Sequence, residues 1–118
     1  MKDIVSTLMT HQNQMKLFHW KTSSYARHKA LDDYLENIAK EIDAIVENLM
    51  GSRDIIVDDK FSISFKKLTE DNVMDYLSSF RVYLTKDFKV KKDETGVLSL
   101  RDNLLVELDR LMYLFRLI

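Results

Sequence analysis

The chain contains no proline and only two glycines in 118 residues. A chain of this length at average usage carries about eight glycines and six prolines, and these residues make most of the tight turns that connect β-strands. Their near absence argues against a sheet-rich architecture and predicts an all-α protein. At this size a chain buries about two thirds of its unfolded surface in one core and is too short to build two. We therefore expect a single domain over residues 1–118.

Charge and cysteine content exclude several classes of protein. The 18 basic and 19 acidic side chains give a net charge of -1, so no overall positive field attracts nucleic acid or an anionic membrane. The absence of cysteine excludes disulfide frameworks, thiolate zinc sites and cysteine nucleophiles. Metal ligands must then be His, Asp or Glu. No apolar run has the length of a signal peptide or of a membrane span, so we expect a soluble, cytoplasmic protein.

Apolar side chains recur with a 3.6-residue period in four stretches of the sequence. The predicted helices run from about residue 3 to 20, from Ser23 or Ser24 as cap to about Met50, from Thr69 to about Phe88, and from Ser99 at the latest. Gly51 and Gly96 are interpreted as breaks. Helices in this order predict a four-helix bundle with a long connection between helices 2 and 3.

The long connection, from Arg53 to Leu68, has a weaker pattern. Phe61, Ile63 and Phe65 alternate with polar residues, which is typical of a strand. An isolated strand has no partner in a helical chain. We therefore favour an extended connection laid across the bundle and keep the strand as the alternative.

The second predicted helix carries two distinct faces. At 100° per residue, one stripe about 100° wide holds four possible metal ligands, namely His28, Asp32, Asp43 and Glu47. The apolar side chains of the same helix cluster about a quarter to a third of a turn away, at Leu31, Tyr34, Ile38, Ile42, Ile45 and Leu49. The possible ligands are therefore expected to face away from the core of their own chain.

Two pairs on this stripe have the spacing to chelate a metal ion. His28 and Asp32 are one helical turn apart, and so are Asp43 and Glu47. The two pairs lie roughly 22 Å apart along the helix axis, so one chain cannot bring both pairs to the same ion. An antiparallel second copy that crosses near the middle of the helix would set each pair opposite the other and form two identical sites. The residues between the pairs on this face are apolar and partly small: Leu35, Ala39 and Val46.

These residues resemble those of a known family, the Dps mini-ferritins (DNA-binding proteins from starved cells). The run from Phe18 to Thr22, which contains His19 and Trp20, is similar to the His-Trp signature of their first helix. The spacing His-x3-Asp-x10-Asp-x3-Glu that begins at His28 matches their second helix. The resemblance is carried by residues 8–50 and is loose afterwards.

The resemblance implies a ferritin-like fold and a di-iron site between subunits, where Fe(II) is oxidised by peroxide or dioxygen for iron detoxification and storage. The implied ligands are His19, His28 and Asp32 from one subunit and Asp43 and Glu47 from its mate. It also implies a homo-oligomer, with a homodimer as the minimum and a dodecameric shell as the larger assembly. Manganese or zinc would suit the same carboxylate and imidazole ligands.

Several features depart from the family or leave other functions open. The loop between His19 and His28 is three residues shorter than usual, and the connection between helices 2 and 3 is too short for the family's extra helix. Lys2 is the only basic residue before Lys16, so DNA binding is not supported. The short chain would suit a viral source. The alternatives are a non-catalytic four-helix dimer that acts as a scaffold and a dimer held by a structural metal ion.

Four further aromatic residues need no metal. His11 shares a helix face with Leu8 and is more typical of a hydrogen-bonded histidine at the edge of a bundle than of a ligand. Trp20, Tyr25 and Tyr34 are interpreted as core or interface aromatics.

Overall fold

The structure, a computed structural model, describes residues 1–117. Its elements in chain order are α1 (Lys2–Lys21), α2 (Tyr25–Arg53), α3 (Val73–Val82), a π-helical segment (Tyr83–Asp87) that continues α3, and α4 (Thr95–Arg116). No strand occurs within these 117 residues. The prediction of an all-helical protein with four helices is confirmed, and the arrangement is compatible with a helical bundle.

The longest helix, α2, sets the dimensions of the molecule. Its 29 residues correspond to about 44 Å at 1.5 Å per residue, and the longest axis of the protein measures 45 Å. It packs mainly against α4 and α1. Its buried side chains are those that the periodicity assigned to the core, namely Leu31, Tyr34, Ile38, Ile42, Ile45 and Leu49. The predicted core face of α2 is therefore confirmed.

One hydrophobic core joins all four helices. Leu8, Ile38, Leu77 and Leu108, one from each helix, are fully buried. Burial of a side chain of this size contributes roughly 1.5–3 kcal/mol to stability. Between Met1 and Leu117, none of the helices is both long enough and apolar enough to cross a membrane.

Between α2 and α3, residues 55–69 form neither a helix nor a strand, and this segment contacts α1. Gln14 on α1 is 3% exposed. Its Nε2 donates to the carbonyl oxygen of Lys66 (2.7 Å), and its Oε1 accepts from the backbone N–H of the same residue (2.9 Å). This side chain supplies the hydrogen bonds that a neighbouring strand would otherwise provide. The expectation of a connection laid against the bundle is confirmed, and within residues 1–117 the strand alternative is wrong.

The two glycines do not break helices, contrary to the prediction. α2 continues through Gly51 to Arg53 and ends where Asp54 adopts a left-handed conformation (φ 51°, ψ 49°). Gly96 lies in the first turn of α4, which begins at Thr95. A glycine within a helix costs only about 1 kcal/mol relative to alanine, which is less than the packing of either helix contributes.

The start of α3 also differs from the prediction. Thr69 and Asn72 hydrogen-bond each other: the Thr69 N–H donates to Asn72 Oδ1 (2.7 Å), and the Asn72 N–H donates to Thr69 Oγ1 (3.2 Å). These two residues therefore form a turn, and the helix begins only after it. At the other end the π-helical segment widens the backbone. There Nη1 of Arg101 donates to the carbonyl oxygen of Leu84 (2.9 Å).

Candidate metal centre

A tight corner between α1 and α2 brings His19 and His28 together. Only three residues, 22–24, separate the two helices. Of the two serines predicted as caps, Ser24 is the one observed: its hydroxyl accepts from the Arg27 N–H (3.2 Å). An N-cap of this kind satisfies one of the free N–H groups in the first turn of a helix. The last turn of α1 and the first turn of α2 therefore lie side by side.

The two imidazole rings stack, and the backbone orients both of them. Their centroids are 4.0 Å apart and their planes differ by 9°. Nδ1 of His19 donates to the carbonyl oxygen of His28 (3.0 Å), and Nδ1 of His28 donates to the carbonyl oxygen of His19 (2.8 Å). Because a carbonyl only accepts, both Nδ1 atoms carry a proton, and Nε2 is the nitrogen through which each ring could bind a metal ion. Histidines that bind metals through Nε2 are commonly held in this way.

Asp32 adds a carboxylate beside this pair. Its Oδ1 lies 3.3 Å from Nε2 of His19, and one ligand atom from each of the three residues lies within 4.8 Å of the other two. The side chain of His19 is 13% exposed and that of Asp32 is 47% exposed, so the cluster opens to solvent on the carboxylate side. Nζ of Lys29 lies 3.7 Å from Oδ2 of Asp32. An exposed ion pair contributes at most about 1 kcal/mol, so a metal ion can readily displace the lysine.

The parallel rings favour two metal ions over one. A metal ion binds imidazole along the Nε2 lone pair, in the plane of the ring, at about 2.0–2.1 Å. The planes of the two rings are nearly parallel and their centroids are 4.0 Å apart. The planes therefore do not intersect within about 2.0–2.1 Å of the two Nε2 atoms. In the observed orientation the lone pairs of His19 and His28 do not point at one position, so one ring would have to rotate for both to bind the same ion. Two ions, one at each ring, would need no such rotation.

Asp43 and Glu47 lie farther along α2, where both are exposed. Within residues 1–117, three potential ligands lie close enough together to hold an ion, namely His19, His28 and Asp32. The structure thus brings together three of the five predicted ligands and leaves the other two apart. This agrees with the separation of the two pairs expected from helix geometry.

His11 lies in the core, whereas the sequence predicted the edge of the bundle. It is 1% exposed. Its Nε2 lies 2.6 Å from Tyr34 Oη, and its Nδ1 lies 3.0 Å from Tyr76 Oη. Its ring stacks on Phe80 with centroids 3.6 Å apart. Burial lowers the pKa of His11 to about 3 and raises the pKa of both tyrosines. Both ring nitrogens are hydrogen-bonded, so His11 is satisfied, as predicted, and has no lone pair left for a metal.

Trp20 and Tyr25 lie on the surface next to the cluster of His19, His28 and Asp32. Their exposed fractions are 65% and 75%, so neither is a core aromatic, whereas Tyr34 is buried as predicted. The Tyr25 ring stacks near His28 with centroids 6.5 Å apart, and Nζ of Lys16 lies 5.9 Å from the centroid of the Trp20 ring. Both aromatics lie at helix ends, where periodicity does not reveal whether another element covers a side chain.

Glu70 also contacts this corner, although no sequence pattern signals it. Its carboxylate hydrogen-bonds Thr22, Ser23 and Arg27. Glu70 is separated from Thr22 by 48 positions in the sequence, so only the tertiary structure brings it to this corner.

Comparison with known proteins assigns the chain to a family. Residues 19–115 match DUF5856, described as a family of unknown function. The chain belongs to DUF5856. The DUF5856 match begins at His19 and includes all five predicted ligands. No curated protein and no solved structure matches the chain.

Proposed function

We propose that this protein is a ferritin-like four-helix bundle, similar to the Dps mini-ferritins, that binds and oxidises Fe(II) at a two-metal site shared between two copies of the chain. The observation that carries this proposal is the stacked pair of His19 and His28. Nδ1 of each ring is hydrogen-bonded to the backbone, so Nε2 is the atom that each ring offers to a metal ion, and the planes of the two rings are nearly parallel. Asp32 lies beside them on the open side of the cluster.

A second copy of the chain supplies the ligands that a single chain lacks. Asp43 and Glu47 lie on the same stripe of α2 as His28 and Asp32, so an antiparallel copy of this helix sets one pair against the other. Such a two-fold contact is self-complementary and forms two identical sites. Three apolar residues lie between the two pairs: Leu35, Ala39 and Val46. Each is half-buried in the single chain, so part of its apolar surface remains accessible to a second copy of α2.

The ligands of the completed site determine its chemistry. Imidazole nitrogens and carboxylate oxygens suit Fe(II), Mn(II) and Zn(II), and protein geometry and metal supply select among them. In this proposal Fe(II) is the substrate, and two Fe(II) ions provide the two electrons that reduce hydrogen peroxide to water. His19 and His28 each hold one ion, and Glu47 of the second copy is suited to bridge the two.

The double variant Asp32→Asn with Glu47→Gln tests this function. Both side chains are exposed, so the fold is expected to remain intact. The rate of Fe(II) oxidation, followed by the absorbance of Fe(III) after addition of peroxide, is expected to fall at least about tenfold, since even partners of metal ligands have effects of this size.

The matched control is Asp33→Asn with Glu41→Gln, which removes two charges from the same helix outside the stripe and is expected to keep the wild-type rate. Unchanged oxidation in the Asp32/Glu47 variant would reject the proposal. If wild-type protein never oxidises Fe(II), but chelation of its metal splits the dimer, the metal is structural.

A further inference from the structure

The turn between α1 and α2 is held by a single carboxylate from a distant part of the chain. Oε2 of Glu70 accepts from the Thr22 hydroxyl (2.6 Å) and from the Ser23 N–H (3.1 Å). Its Oε1 accepts from Nη1 of Arg27 in the first turn of α2 (3.1 Å). The Thr22 hydroxyl oxygen in turn accepts from the Ser24 N–H (3.1 Å). All three turn residues are therefore bonded to Glu70, either directly or through Thr22.

Glu70 is itself held firmly in place. Its backbone carbonyl oxygen accepts from Nη1 of Arg27 (2.9 Å), and Nη2 of Arg27 donates to the carbonyl oxygen of Phe115 (3.2 Å). The Arg27 guanidinium also lies 5.0 Å from the centroid of the Phe115 ring. Leu68, two residues before Glu70, is buried in the core. The carboxylate therefore presents its oxygens to the turn from a position fixed by α2, α4 and the core.

The geometry of the turn determines the geometry of the histidine pair. The two Nδ1 bonds, 3.0 and 2.8 Å long, each join the end of α1 to the start of α2. N–H···O bonds are rarely longer than about 3.2 Å, so a shift of a few tenths of an ångström between the helices would weaken both bonds. Without them neither the Nδ1–H tautomer nor the stacked orientation is enforced.

We propose that Glu70 is a positioning residue for the metal centre: it fixes the turn at residues 22–24 and through it the tautomers and stacking of His19 and His28. This role rests on the metal centre proposed above. Glu70 does not touch the ligand atoms, and it acts only through the backbone that carries them.

The test compares Glu70→Gln with Glu94→Gln, using Co(II) as the probe metal. The control is matched because Glu94 also pairs with an arginine, Arg53, and also accepts a backbone N–H, from Lys91. Both variants are expected to lower the melting temperature. Only Glu70→Gln is expected to weaken Co(II) binding, by about 10–100-fold as for other partners of metal-binding histidines, and to alter the visible spectrum of bound Co(II).

A second measurement needs no metal. At a pH where both imidazoles are neutral, nitrogen NMR of the metal-free wild-type protein is expected to show the Nδ1–H tautomer for His19 and His28. Glu70→Gln is expected to show a mixture of tautomers under the same conditions. If Glu70→Gln does not fold, Thr22→Val removes the hydroxyl contact alone and is expected to change both measurements in the same direction.

The two proposals fail in different ways. If Co(II) affinity, spectrum and tautomers are all unchanged in Glu70→Gln, the positioning role is wrong and the metal centre stands. If His19→Ala and His28→Ala bind Co(II) as the wild type does, the metal centre itself is wrong.

Discussion

At the scale of single residues, His11 shows how burial sets a protonation state. Its ring lies between α2 and α3, with the Tyr34 and Tyr76 hydroxyls on its two nitrogens and Phe80 on its face. Removal from water disfavours the charged imidazolium, and burial therefore lowers the pKa of His11 from 6.5 to about 3. The folded protein thus binds fewer protons than the unfolded chain between these two pH values.

We predict that this histidine makes the protein less stable in acid. Because the folded-state pKa of His11 is depressed, its contribution is fully present above pH 6.5 and is lost as the pH falls toward 3. The free energy of unfolding is expected to decrease by about 1 kcal/mol per pH unit in this range. Urea unfolding at several pH values measures this slope. In His11→Gln the slope is expected to be shallower, and an identical slope in the variant would contradict the assignment.

At the scale of secondary-structure elements, the connection between α2 and α3 depends on one buried amide. Phe61, Ile63 and Phe65 alternate as in a strand, but no strand pairs with them in residues 1–117. The two hydrogen bonds between Gln14 and Lys66 hold the segment against α1. Sequence patterns predicted the extended backbone, whereas the residue that holds it lies 52 positions away.

Gln14→Ala is expected to lower the free energy of unfolding by about 1–3 kcal/mol, because it leaves the backbone groups of Lys66 without these partners. The loss should appear in urea unfolding and in faster proteolysis of the connection. Asn13→Ala is the control, because the Asn13 side chain is exposed and donates to the Met9 carbonyl of its own helix. Equal effects of the two variants would show that Gln14 does not hold the connection.

At the scale of the whole molecule, the proposed function requires two chains. Each chain presents the stacked histidines with Asp32 near one end of α2 and two exposed acids farther along it. Ala39 lies between these groups on the same stripe and is half-buried. A small residue at this position permits the close approach of a second α2.

Ala39→Lys is therefore expected to prevent dimer formation while leaving the fold unchanged. The variant is expected to elute as a monomer in size-exclusion chromatography, to retain Co(II) binding at His19 and His28, and to lose Fe(II) oxidation. Asn48→Lys adds the same charge on the far side of α2 and should remain dimeric and active. If Ala39→Lys oxidises Fe(II) as a monomer, the active site does not need a second copy.

Local patterns were sufficient to predict the helical architecture and both faces of α2. The lack of proline, the few glycines and the 3.6-residue period affect the backbone only within one or two helical turns. Their effect can therefore be predicted from the sequence alone. The 3.6-residue period also placed His28, Asp32, Asp43 and Glu47 on one stripe of α2, with the first pair separated from the second along the helix axis.

Only the tertiary structure decided the features that depend on distant residues. These features are the continuation of α2 through Gly51, the burial of His11, the exposure of Trp20, the stacking of His19 on His28, and the contact of Glu70 with their turn. The burial of His11, the stacking of the two histidines and the contact of Glu70 each involve side chains or backbone groups of another element. Local periodicity records which face of a helix is apolar, but the free energy of packing determines what covers that face and which side chains meet there.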